Sequence, residues 1–323
     1  MSVNWGIMGT ANIAKNCTIP GLMNAEGCNL YAIAGRSKEK ADQFKETYGF
    51  TKAYYDYDSL IDDPDVDAVY IPLPNHIHKE WVIKSLKKGK HVLCEKPLAL
   101  NLKEAEEMYN VAKENNVILT EAYAYLHSPI MDALRSEIRS GVIGEVDYID
   151  TAFLTQGYIE DFRLHKEFGG GAFYDLGCYC TTMILSLIDS DIEYAKAMAE
   201  FTDEDVDFFT GCLLKFKNGV RASFNVGMNL GAGSNSRYDR LYIHGSKGCI
   251  KSEVEYNQEG EIEYTVITGG KREVKKVFAK SNYTLESERL AQCIEGKNTP
   301  LVTPEFLMKN TKVMDMLLES MGY

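Results

Sequence analysis

Residues 3–14 read VNWGIMGTANIA, an apolar run that ends at a glycine and continues into small, helix-forming residues. We predict a strand over residues 3–8, a turn at Gly9 and a helix that continues to Met23. Read as G-x-G-x-x-G/A from Gly9, the stretch has Ala11 in the middle position and Ala14 in the last. A helix that begins after such a turn presents unpaired N–H groups to a pyrophosphate. The residues of this turn that are candidates for nucleotide binding are Gly9, Thr10, Ala11, Asn12 and Ile13, although a tight strand–helix junction has a similar pattern.

The first 121 residues alternate between short apolar runs and amphipathic stretches. Further strands are predicted over residues 29–34, 67–71, 91–94 and 117–120, with helices over residues 38–48, 76–88 and 102–115. Strands that alternate with crossover helices are typical of a parallel sheet covered on both faces. In such sheets, ligands bind beyond the carboxyl ends of the strands, where the strand order reverses. We therefore expect an α/β fold that begins with a doubly wound, Rossmann-type sheet.

The pattern changes after residue 121, where strand-like runs are separated by glycine-containing turns. These runs cover residues 145–154, 193–201, 207–216, 220–226, 240–244, 249–254, 261–267 and 273–278. Helices are predicted over residues 129–140, from Ala172 onward, and over residues 282–295 and 304–321, the last with Thr303 as N-cap and Pro304 at its first position. We expect a mostly antiparallel open sheet. The predicted domains are residues 1–121, which bind a nucleotide, and residues 122–323, an α+β domain for substrate and oligomerisation whose last helix packs back on the first.

The composition is that of an ordinary soluble globular protein, with 323 residues, 45% of them hydrophobic and 25% charged. A net charge of −12 argues against a nucleic-acid or anionic-membrane partner. Neither a signal peptide nor an apolar window of about 18 residues is evident. The eight cysteines lack paired zinc spacing, and Cys178 and Cys180 are the only close pair. We expect free thiols in a reducing cytoplasm, and no metal.

The end of the second predicted strand indicates which dinucleotide binds. A site for NAD would carry an acidic residue about 20 residues past the glycine-rich turn. Here the sequence is Gly35, Arg36, Ser37 and Lys38. Arg36 can stack on adenine and pair with a 2′-phosphate, and Ser37 can donate a hydrogen bond to it. The pattern favours NADP(H) over NAD(H), and the alternative is a solvated basic start to the second helix.

Two further loops follow strands of the same predicted sheet. Pro97 cannot continue a sheet ladder, so the strand over residues 91–94 stops and leaves Glu95 and Lys96 at its carboxyl end. After the strand over residues 67–71 comes PLPNHIH, residues 72–78, in which two prolines fix the loop and polar groups are expected to face the cleft. The candidates for cofactor binding in this loop are Leu73, Pro74, Asn75 and His78. A helix-start loop without function is the alternative.

Three motifs occur together: PNHIH at residues 74–78, GKHVLCEKPLA at residues 89–99, and GGGAFYDLGCY at residues 169–179. In combination they resemble the glucose–fructose oxidoreductase, inositol dehydrogenase and rhizopine catabolism (Gfo/Idh/MocA) family over nearly the whole chain. The resemblance implies a Rossmann domain followed by a domain with a large open sheet, whose outer face commonly forms a dimer contact. It also implies nicotinamide-dependent oxidation or reduction of a sugar, polyol or related alcohol.

The same resemblance assigns roles to individual residues. It implies that Lys96 is the catalytic lysine, with Glu95 beside the nicotinamide ribose and often a cis peptide before Pro97. Tyr179 stands where many relatives have histidine. A tyrosine at this position resembles the branch of dimeric dihydrodiol dehydrogenase, glucose–fructose oxidoreductase and xylose dehydrogenase. Arg163 matches a position that contacts the cofactor in several relatives. Tyr283 matches an aromatic residue near the active site.

Lys96 and Tyr179 are also a chemically coherent pair. A tyrosine with a pKa near 10 is a poor base at neutral pH, and a nearby ammonium favours its phenolate. Lys96 can also hydrogen-bond the substrate oxygen as negative charge develops on it. Asp175 lies four residues before Tyr179, on the same helical face, and can orient Tyr179 or the substrate. The alternatives are a surface ion pair at Glu95 and Lys96, and purely structural helix residues at Asp175 and Tyr179.

We therefore expect an NADP(H)-preferring oxidoreductase that acts on a sugar, cyclic polyol or diol. The residues expected to line the substrate pocket are Tyr123, His127, Phe162, His165, Tyr179 and Tyr283, of which His127 can equally be structural. Two other functions fit the scaffold: a non-catalytic NADP-binding regulator, and a sugar hydrolase or lyase that uses NAD transiently. We expect no nucleic-acid or membrane partner, and a homodimer or higher oligomer formed through the C-terminal sheet.

Overall fold

The computed structural model describes residues 2–157, 161–230, 237–253 and 256–323. Backbone packing divides the chain into two compact units. The first comprises Met1–His127 and Ser281–Met308, and the second comprises Ser128–Lys280 and Lys309–Tyr323.

The first unit contains a six-stranded parallel sheet, which confirms the predicted α/β class. Its strands are β1 (Val3–Met8), β2 (Cys28–Ala34), β3 (Lys52–Tyr54), β4 (Ala68–Ile71), β5 (His91–Cys94) and β6 (Leu119–Glu121). Their order in the sheet is β3-β2-β1-β4-β5-β6, so the winding direction reverses between β1 and β4. This is the order of a doubly wound nucleotide-binding sheet, and ligands bind such sheets at the reversal. Strands β4 and β5 are buried along almost their whole length, as a sheet covered on both faces requires.

The helices of the described chain mostly follow the predicted boundaries. They are α1 (Ile19–Met23), α2 (Lys38–Tyr48), α3 (Tyr57–Asp62), α4 (His78–Lys87), α5 (Leu102–Glu114), α6 (Pro129–Ser140), α7 (Cys178–Leu187), α8 (Asn282–Ile294) and α9 (Pro304–Met321). Short π-helical segments, Ala14–Thr18 and Phe173–Gly177, lead directly into α1 and α7. The predicted N-cap of α9 is confirmed, because Oγ1 of Thr303 accepts a hydrogen bond from the Phe306 N–H at 3.2 Å.

Strand β3 and helix α3 lie where no element was predicted. Three residues are too few for β3 to show a periodic pattern, and β3 forms because it pairs with the edge of β2. Helix α3 begins where Asp56 accepts a hydrogen bond from the Ser59 N–H at 2.6 Å. The signal for α3 was therefore a helix cap, which hydrophobic periodicity does not reveal.

The second unit contains an eight-stranded sheet that is mostly antiparallel, as predicted. Its strands are β7 (Val146–Gln156), β8 (Ile192–Phe201), β9 (Asp207–Phe216), β10 (Arg221–Leu230), β11 (Arg237–Gly245), β12 (Gly248–Ser252), β13 (Gly260–Thr268) and β14 (Lys271–Ala279). Their order is β14-β13-β12-β11-β7-β10-β9-β8, with β7 and β10 as a parallel pair. The predicted strand over residues 249–254 ends at Ser252, and residue 254 lies outside the described residues.

One face of the eight-stranded sheet packs on helices α6 and α7, and the other carries exposed apolar side chains. Met198 on β8 is 81% exposed, Leu213 on β9 is 58% exposed and Phe278 on β14 is 74% exposed. Met198 and Leu213 are near neighbours, because Met198 pairs with Gly211 and Lys196 pairs with Leu213. A monomeric protein rarely exposes large apolar side chains together on a flat sheet.

Helix α8 belongs to the first unit, whereas the predicted division at residues 121 and 122 placed it in the second domain. Its Leu290 and Ala291 are buried in one core cluster with Trp5 and Ile7. The close approach to α1 depends on Gly21, where a Cβ atom would stand 2.7 Å from Cβ of Tyr283. The first unit is therefore completed by residues far along the chain.

Candidate active site

The turn after β1 has the bare backbone that a pyrophosphate site requires. Gly9 is buried, has a φ of +108°, and donates its N–H to the Ala34 carbonyl at 2.8 Å. A Cβ atom there would lie 3.2 Å from Cδ2 of Leu73 and 3.6 Å from the Tyr57 hydroxyl. Both the φ value and the lack of space therefore favour glycine. The following residues, Thr10 to Ile13, are at least partly exposed, and the backbone is helical from Asn12 onward, so this turn fits a dinucleotide phosphate at a helix N-terminus.

Arg36 and Ser37 follow the carboxyl end of β2, as predicted, and both are exposed. Oγ of Ser37 accepts a hydrogen bond from the Lys40 N–H at 3.4 Å, so this side chain also caps α2. Arg36 lies close to Tyr57: burial raises the pKa of Tyr57, and the Arg36 charge opposes that rise. The Tyr57 ring packs edge-on against Trp81, with 5.0 Å between ring centroids. Tyr57 therefore lies between the Gly9 turn and Arg36, and sequence patterns did not indicate it.

The loop after β4 lies at the same edge of the sheet, but its histidine points inward. His78 is fully buried, with Nδ1 2.9 Å from the Pro97 carbonyl oxygen and Nε2 2.7 Å from the Leu73 carbonyl oxygen. This differs from the expected orientation towards the cleft. Burial lowers the pKa of His78 to about 4, while both carbonyl contacts act in the opposite direction. Asn75 is also buried, whereas His76 between them in the chain is exposed.

Strand β5 ends at Cys94 and delivers Glu95 and Lys96 to the carboxyl edge, as predicted. The Lys96–Pro97 peptide is cis, in agreement with what the family resemblance implied. The Glu95 N–H donates to the Ile71 carbonyl at 3.0 Å, and Oε1 of Glu95 accepts from the Tyr70 hydroxyl at 2.5 Å. Burial and the Glu95 charge raise the pKa of Tyr70 well above its usual value, so Tyr70 is a hydrogen-bond donor here. The Lys96 side chain is half-buried beside this pair.

In the second unit, the structure brings Arg163 and Asp175 together. Asp175 is buried in the π-helical turn before α7, and its Oδ2 lies 2.8 Å from Nε of Arg163. Nη1 of Arg163 also lies 3.0 Å from Oδ1 of Asp161, and its guanidinium stacks over Phe162 at 4.6 Å. The ion pair fixes the loop around Arg163 to the helix that continues into Tyr179.

Tyr179 is half-buried in the first turn of α7, and two aromatic rings hold its side chain. Its ring centroid is 5.4 Å from that of Phe153 and 5.3 Å from that of Tyr256, both in edge-on geometry. Phe153 and Tyr256 stack on one another at 5.0 Å, and the Tyr256 hydroxyl lies 2.9 Å from Oγ1 of Thr151. These contacts restrict the Tyr179 ring to a narrow range of orientations.

The glycine-rich segment before α7 packs against a pair that sequence reasoning missed. Oδ2 of Asp207 accepts a hydrogen bond from the Phe173 N–H at 2.8 Å, and Oδ1 accepts from the Tyr323 hydroxyl at 2.8 Å. Gly171 has a φ of +116°, and a Cβ atom there would collide with both Asp207 and Tyr323. The last glycine of the GGG motif is therefore required by packing. No local pattern around residue 207 indicated this role.

The remaining predicted substrate residues have varied surroundings. Tyr123 is fully buried and packs edge-on against Tyr125, whereas His165 is half-exposed with Nδ1 3.9 Å from Oε2 of Glu204. His127 borders a small pocket that Glu286 also lines. Tyr283 lies on α8 beside Gly21, and its hydroxyl influences Tyr70 electrostatically. Contacts of these side chains and of Phe162 with a substrate stay predictions.

The part of the chain that the structure describes holds neither a metal cluster nor a membrane span. No group of three or more histidine, cysteine, aspartate or glutamate residues there has an arrangement that could hold a metal ion. None of the helices described is both long enough and apolar enough to cross a membrane.

Family models match both halves of the chain. Residues 3–123 match a model described as "Oxidoreductase family, NAD-binding Rossmann fold", and residues 131–251 match the GFO/IDH/MocA C-terminal domain.

Similar proteins are aligned over nearly the full chain. An uncharacterized oxidoreductase of Rhizobium meliloti, ORF334, is 30% identical over 98% of this chain and 96% of its own length. A trans-1,2-dihydrobenzene-1,2-diol dehydrogenase of Xenopus laevis is 28% identical over 100% of this chain and 99% of its own. Among solved structures, KijD10, a 3-ketoreductase from Actinomadura kijaniata in complex with NADP and TDP-benzene, superposes with a TM-score of 0.93. It is 27% identical, over 99% of this chain and 98% of that one.

Proposed function

The chain belongs to the Gfo/Idh/MocA family of nicotinamide-dependent oxidoreductases, and we propose that it transfers a hydride between NADP(H) and a carbon that bears a hydroxyl group in a sugar, cyclic polyol or diol. One observation carries the proposal. The Gly9 turn, the Leu73 loop and the Glu95–Lys96 pair follow β1, β4 and β5, so they share the carboxyl edge of the sheet where its winding reverses. That edge is where such sheets bind nucleotides.

The preference for NADP(H) is supported by charge at the end of β2. Arg36 is exposed there, and no carboxylate occupies residues 35–38 to accept hydrogen bonds from ribose hydroxyls. We propose that Arg36 and Ser37 hold the 2′-phosphate, with Thr10, Ala11, Asn12 and Ile13 at the pyrophosphate. Because Ser37 also caps α2, phosphate binding there would add a second contact to an ordered hydroxyl.

When bound, the nicotinamide supplies the hydride acceptor or donor. The chain supplies the proton chemistry, and we assign it to Lys96 and Tyr179. Tyr179 takes the hydroxyl proton of an alcohol substrate, and the Lys96 ammonium favours the phenolate form that can do so. Lys96 also donates a hydrogen bond to the oxygen that gains negative charge.

Glu95 and Asp175 take supporting roles in this proposal. Glu95 already accepts from Tyr70, which fixes its carboxylate next to Lys96. Asp175 already pairs with Arg163, which makes its carboxylate a rigid group one helical turn before Tyr179. We therefore assign Asp175 to orienting the Tyr179 helix and Arg163 to holding that turn, with any cofactor contact of Arg163 made through its remaining guanidinium nitrogen, Nη2.

The test is a panel of aldoses, ketoses, inositols and diols, assayed at 340 nm with NADP and with NAD. Substrate-dependent net formation of NADPH supports the proposal. Turnover of a sugar without net change in absorbance would indicate a hydrolase or lyase, and tight NADPH binding without turnover of any compound would indicate a regulator.

We also propose a homodimer formed through the exposed face of the eight-stranded sheet, in a reducing compartment such as the cytoplasm. Exposed Met198, Leu213 and Phe278 support the dimer, because association would bury them. All eight cysteines are free, which suits a reducing compartment. Sedimentation velocity of the wild type and of a Leu213→Glu variant tests the proposed dimer. The added charge should dissociate a dimer only if it forms through this face.

A further inference from the structure

Glu121 is a buried acidic residue at the carboxyl edge of the sheet, and the proposed reaction leaves it without a role. It is the last residue of β6 and only 3% exposed. Strand pairing sets it directly beside Cys94, the last residue of β5. Its Oε1 accepts a hydrogen bond from the Leu98 N–H at 2.9 Å. A carboxylate is rarely buried unless it has such a partner, so this hydrogen bond accounts for part of its placement.

The hydrogen bond to Leu98 closes the turn that presents Lys96. At the start of that turn, Oε1 of Glu95 is bound by the Tyr70 hydroxyl. At its end, the Pro97 carbonyl is bound by His78 and the Leu98 N–H by Glu121. The four residues 95–98 are therefore anchored from β4, α4 and β6. Of these anchors, only the Glu121 side chain carries a charge opposite to that of Lys96.

The charges around Glu121 are mixed. The pKa of Glu121 is raised to about 7, mainly by burial and further by the Glu95 charge. The hydrogen bonds from Leu98 and Tyr123 and the charge of Lys96 act in the opposite direction. The titratable groups that face it are Cys94 on β5, Glu95 and Lys96 in the turn, Tyr109 on α5, and Tyr123. Lys96 is the cation in this set, and its charge favours the ionised form of Glu121.

We infer that Glu121 is a positioning residue for Lys96: it fixes the 95–98 turn through the Leu98 N–H and places a second carboxylate beside the Lys96 ammonium. The inference rests on the proposed catalytic role of Lys96. Loss of the carboxylate should change the electrostatic environment of Lys96 while leaving the phosphate turn at Gly9 intact. The effect should therefore appear in turnover and its pH dependence rather than in cofactor affinity.

Three variants separate the contribution of the hydrogen bond to Leu98 from that of the carboxylate charge. Glu121→Gln keeps an oxygen acceptor for the Leu98 N–H but removes the charge, and Glu121→Ala removes both. Glu106→Gln, an exposed glutamate on α5, is the matched control. For each, the NADPH dissociation constant is measured by fluorescence titration, and kcat and KM are measured from pH 5.5 to 9 with the best substrate of the panel.

For Glu121→Gln we expect NADPH affinity within about twofold of wild type, and kcat about tenfold lower at pH 8. The ionisation near neutral pH should also disappear from the profile of kcat against pH. Glu121→Ala should lose about a hundredfold in kcat, and Glu106→Gln should match the wild type.

An unchanged profile of kcat against pH in Glu121→Gln would overturn the inference, as would equal losses in Glu121→Gln and Glu121→Ala with weakened NADPH binding. If Glu121→Ala does not fold, Glu121→Gln alone still decides. Wild-type turnover by a Lys96→Met variant would instead refute the proposed function, so the two failures are distinguishable.

Discussion

The Tyr323 hydroxyl donates a hydrogen bond to Oδ1 of Asp207 at 2.8 Å and lies 3.1 Å from the Asp207 backbone nitrogen, which donates to it. Asp207 in turn accepts from the Phe173 N–H, at the start of the π-helical turn that contains Asp175. A side chain at residue 323 is thereby connected, through one buried carboxylate, to the π-helical turn that leads into α7 and Tyr179.

Removing the Tyr323 hydroxyl should therefore destabilise the second unit. In Tyr323→Phe, the buried Asp207 carboxylate loses one of its donors, and we expect a loss of about 1–3 kcal/mol in the free energy of unfolding. Urea denaturation followed by circular dichroism measures it. Tyr194→Phe, at an exposed tyrosine on β8, should be neutral. Equal stability of both variants would show that the Tyr323 hydroxyl contributes nothing.

A Gly171→Ala substitution should lower the free energy of unfolding more than Gly219→Ala, which replaces a glycine of similar φ in open surroundings. Gly171 has a φ of +116° and no room for a Cβ atom, whereas Gly219 has a φ of +91° and nothing within 4 Å of where a Cβ atom would lie. Backbone strain alone should cost Gly219→Ala about 1 kcal/mol, and the collision with Asp207 should take Gly171→Ala beyond about 2 kcal/mol. Chemical denaturation compares the two variants. Similar losses at both positions would contradict the packing argument.

Replacing Lys96 by Met or Tyr179 by Phe should lower turnover at least about a hundredfold, because each removes a group that handles the proton. NADPH should still bind to both variants in a fluorescence titration. Lys103→Met, at an exposed lysine on α5, controls for the loss of a positive charge. Turnover at the wild-type level in Tyr179→Phe would refute the role of its hydroxyl.

Arg36→Ala should weaken NADPH binding about 10- to 100-fold and weaken NADH binding much less, since only NADPH carries the 2′-phosphate with which the guanidinium is proposed to pair. Titrations with both dinucleotides at one salt concentration measure the two dissociation constants. Lys45→Ala, at a partly exposed lysine in the last turn of α2, should leave both unchanged. A parallel loss of NADH and NADPH affinity would show instead that Arg36 acts on the adenosine half.

The stability difference between Glu121→Gln and wild type should depend on pH. The folded-state pKa of Glu121, about 7, is above its ordinary value of 4.5, so its contribution to stability is full below pH 4.5 and is lost as pH rises through 7. Glu121→Gln should therefore gain up to about 3 kcal/mol relative to wild type between pH 4.5 and pH 8. Urea unfolding at pH 5 and pH 8 measures this change.

The stability of Glu121→Gln must be compared with that of wild type at each pH, because His78 changes the free energy of unfolding with pH in the opposite direction. Its folded-state pKa, about 4, is below its ordinary value of 6.5, so its contribution is present above pH 6.5 and is lost as pH falls through 4. The two effects overlap in the wild-type curve, whereas the difference between variant and wild type isolates Glu121. A difference that does not vary with pH would show that Glu121 stays ionised throughout.

The sequence predicted those features that depend on local pattern. The parallel sheet, the mostly antiparallel sheet and the edge position of Lys96 follow from apolar periodicity, from Gly9 and from Pro97, each of which acts within a few neighbouring residues. The inward orientation of His78 could not be predicted in this way, because it depends on the Pro97 carbonyl, which a different loop supplies. The roles of Glu121 and Asp207 likewise depend on strand pairing and on contacts between residues distant in the chain.

The assignment of α8 to the first unit bears on how the protein is made. Leu290 and Ala291 complete a core that begins with Trp5 and Ile7, and all of the second unit up to Lys280 is encoded between them. During synthesis, the nucleotide-binding sheet must therefore remain without part of its apolar cover until the ribosome has released most of the polypeptide. A fragment cut after residue 121 would keep that exposed surface permanently, and we expect it to aggregate on expression unless residues 281–308 are supplied.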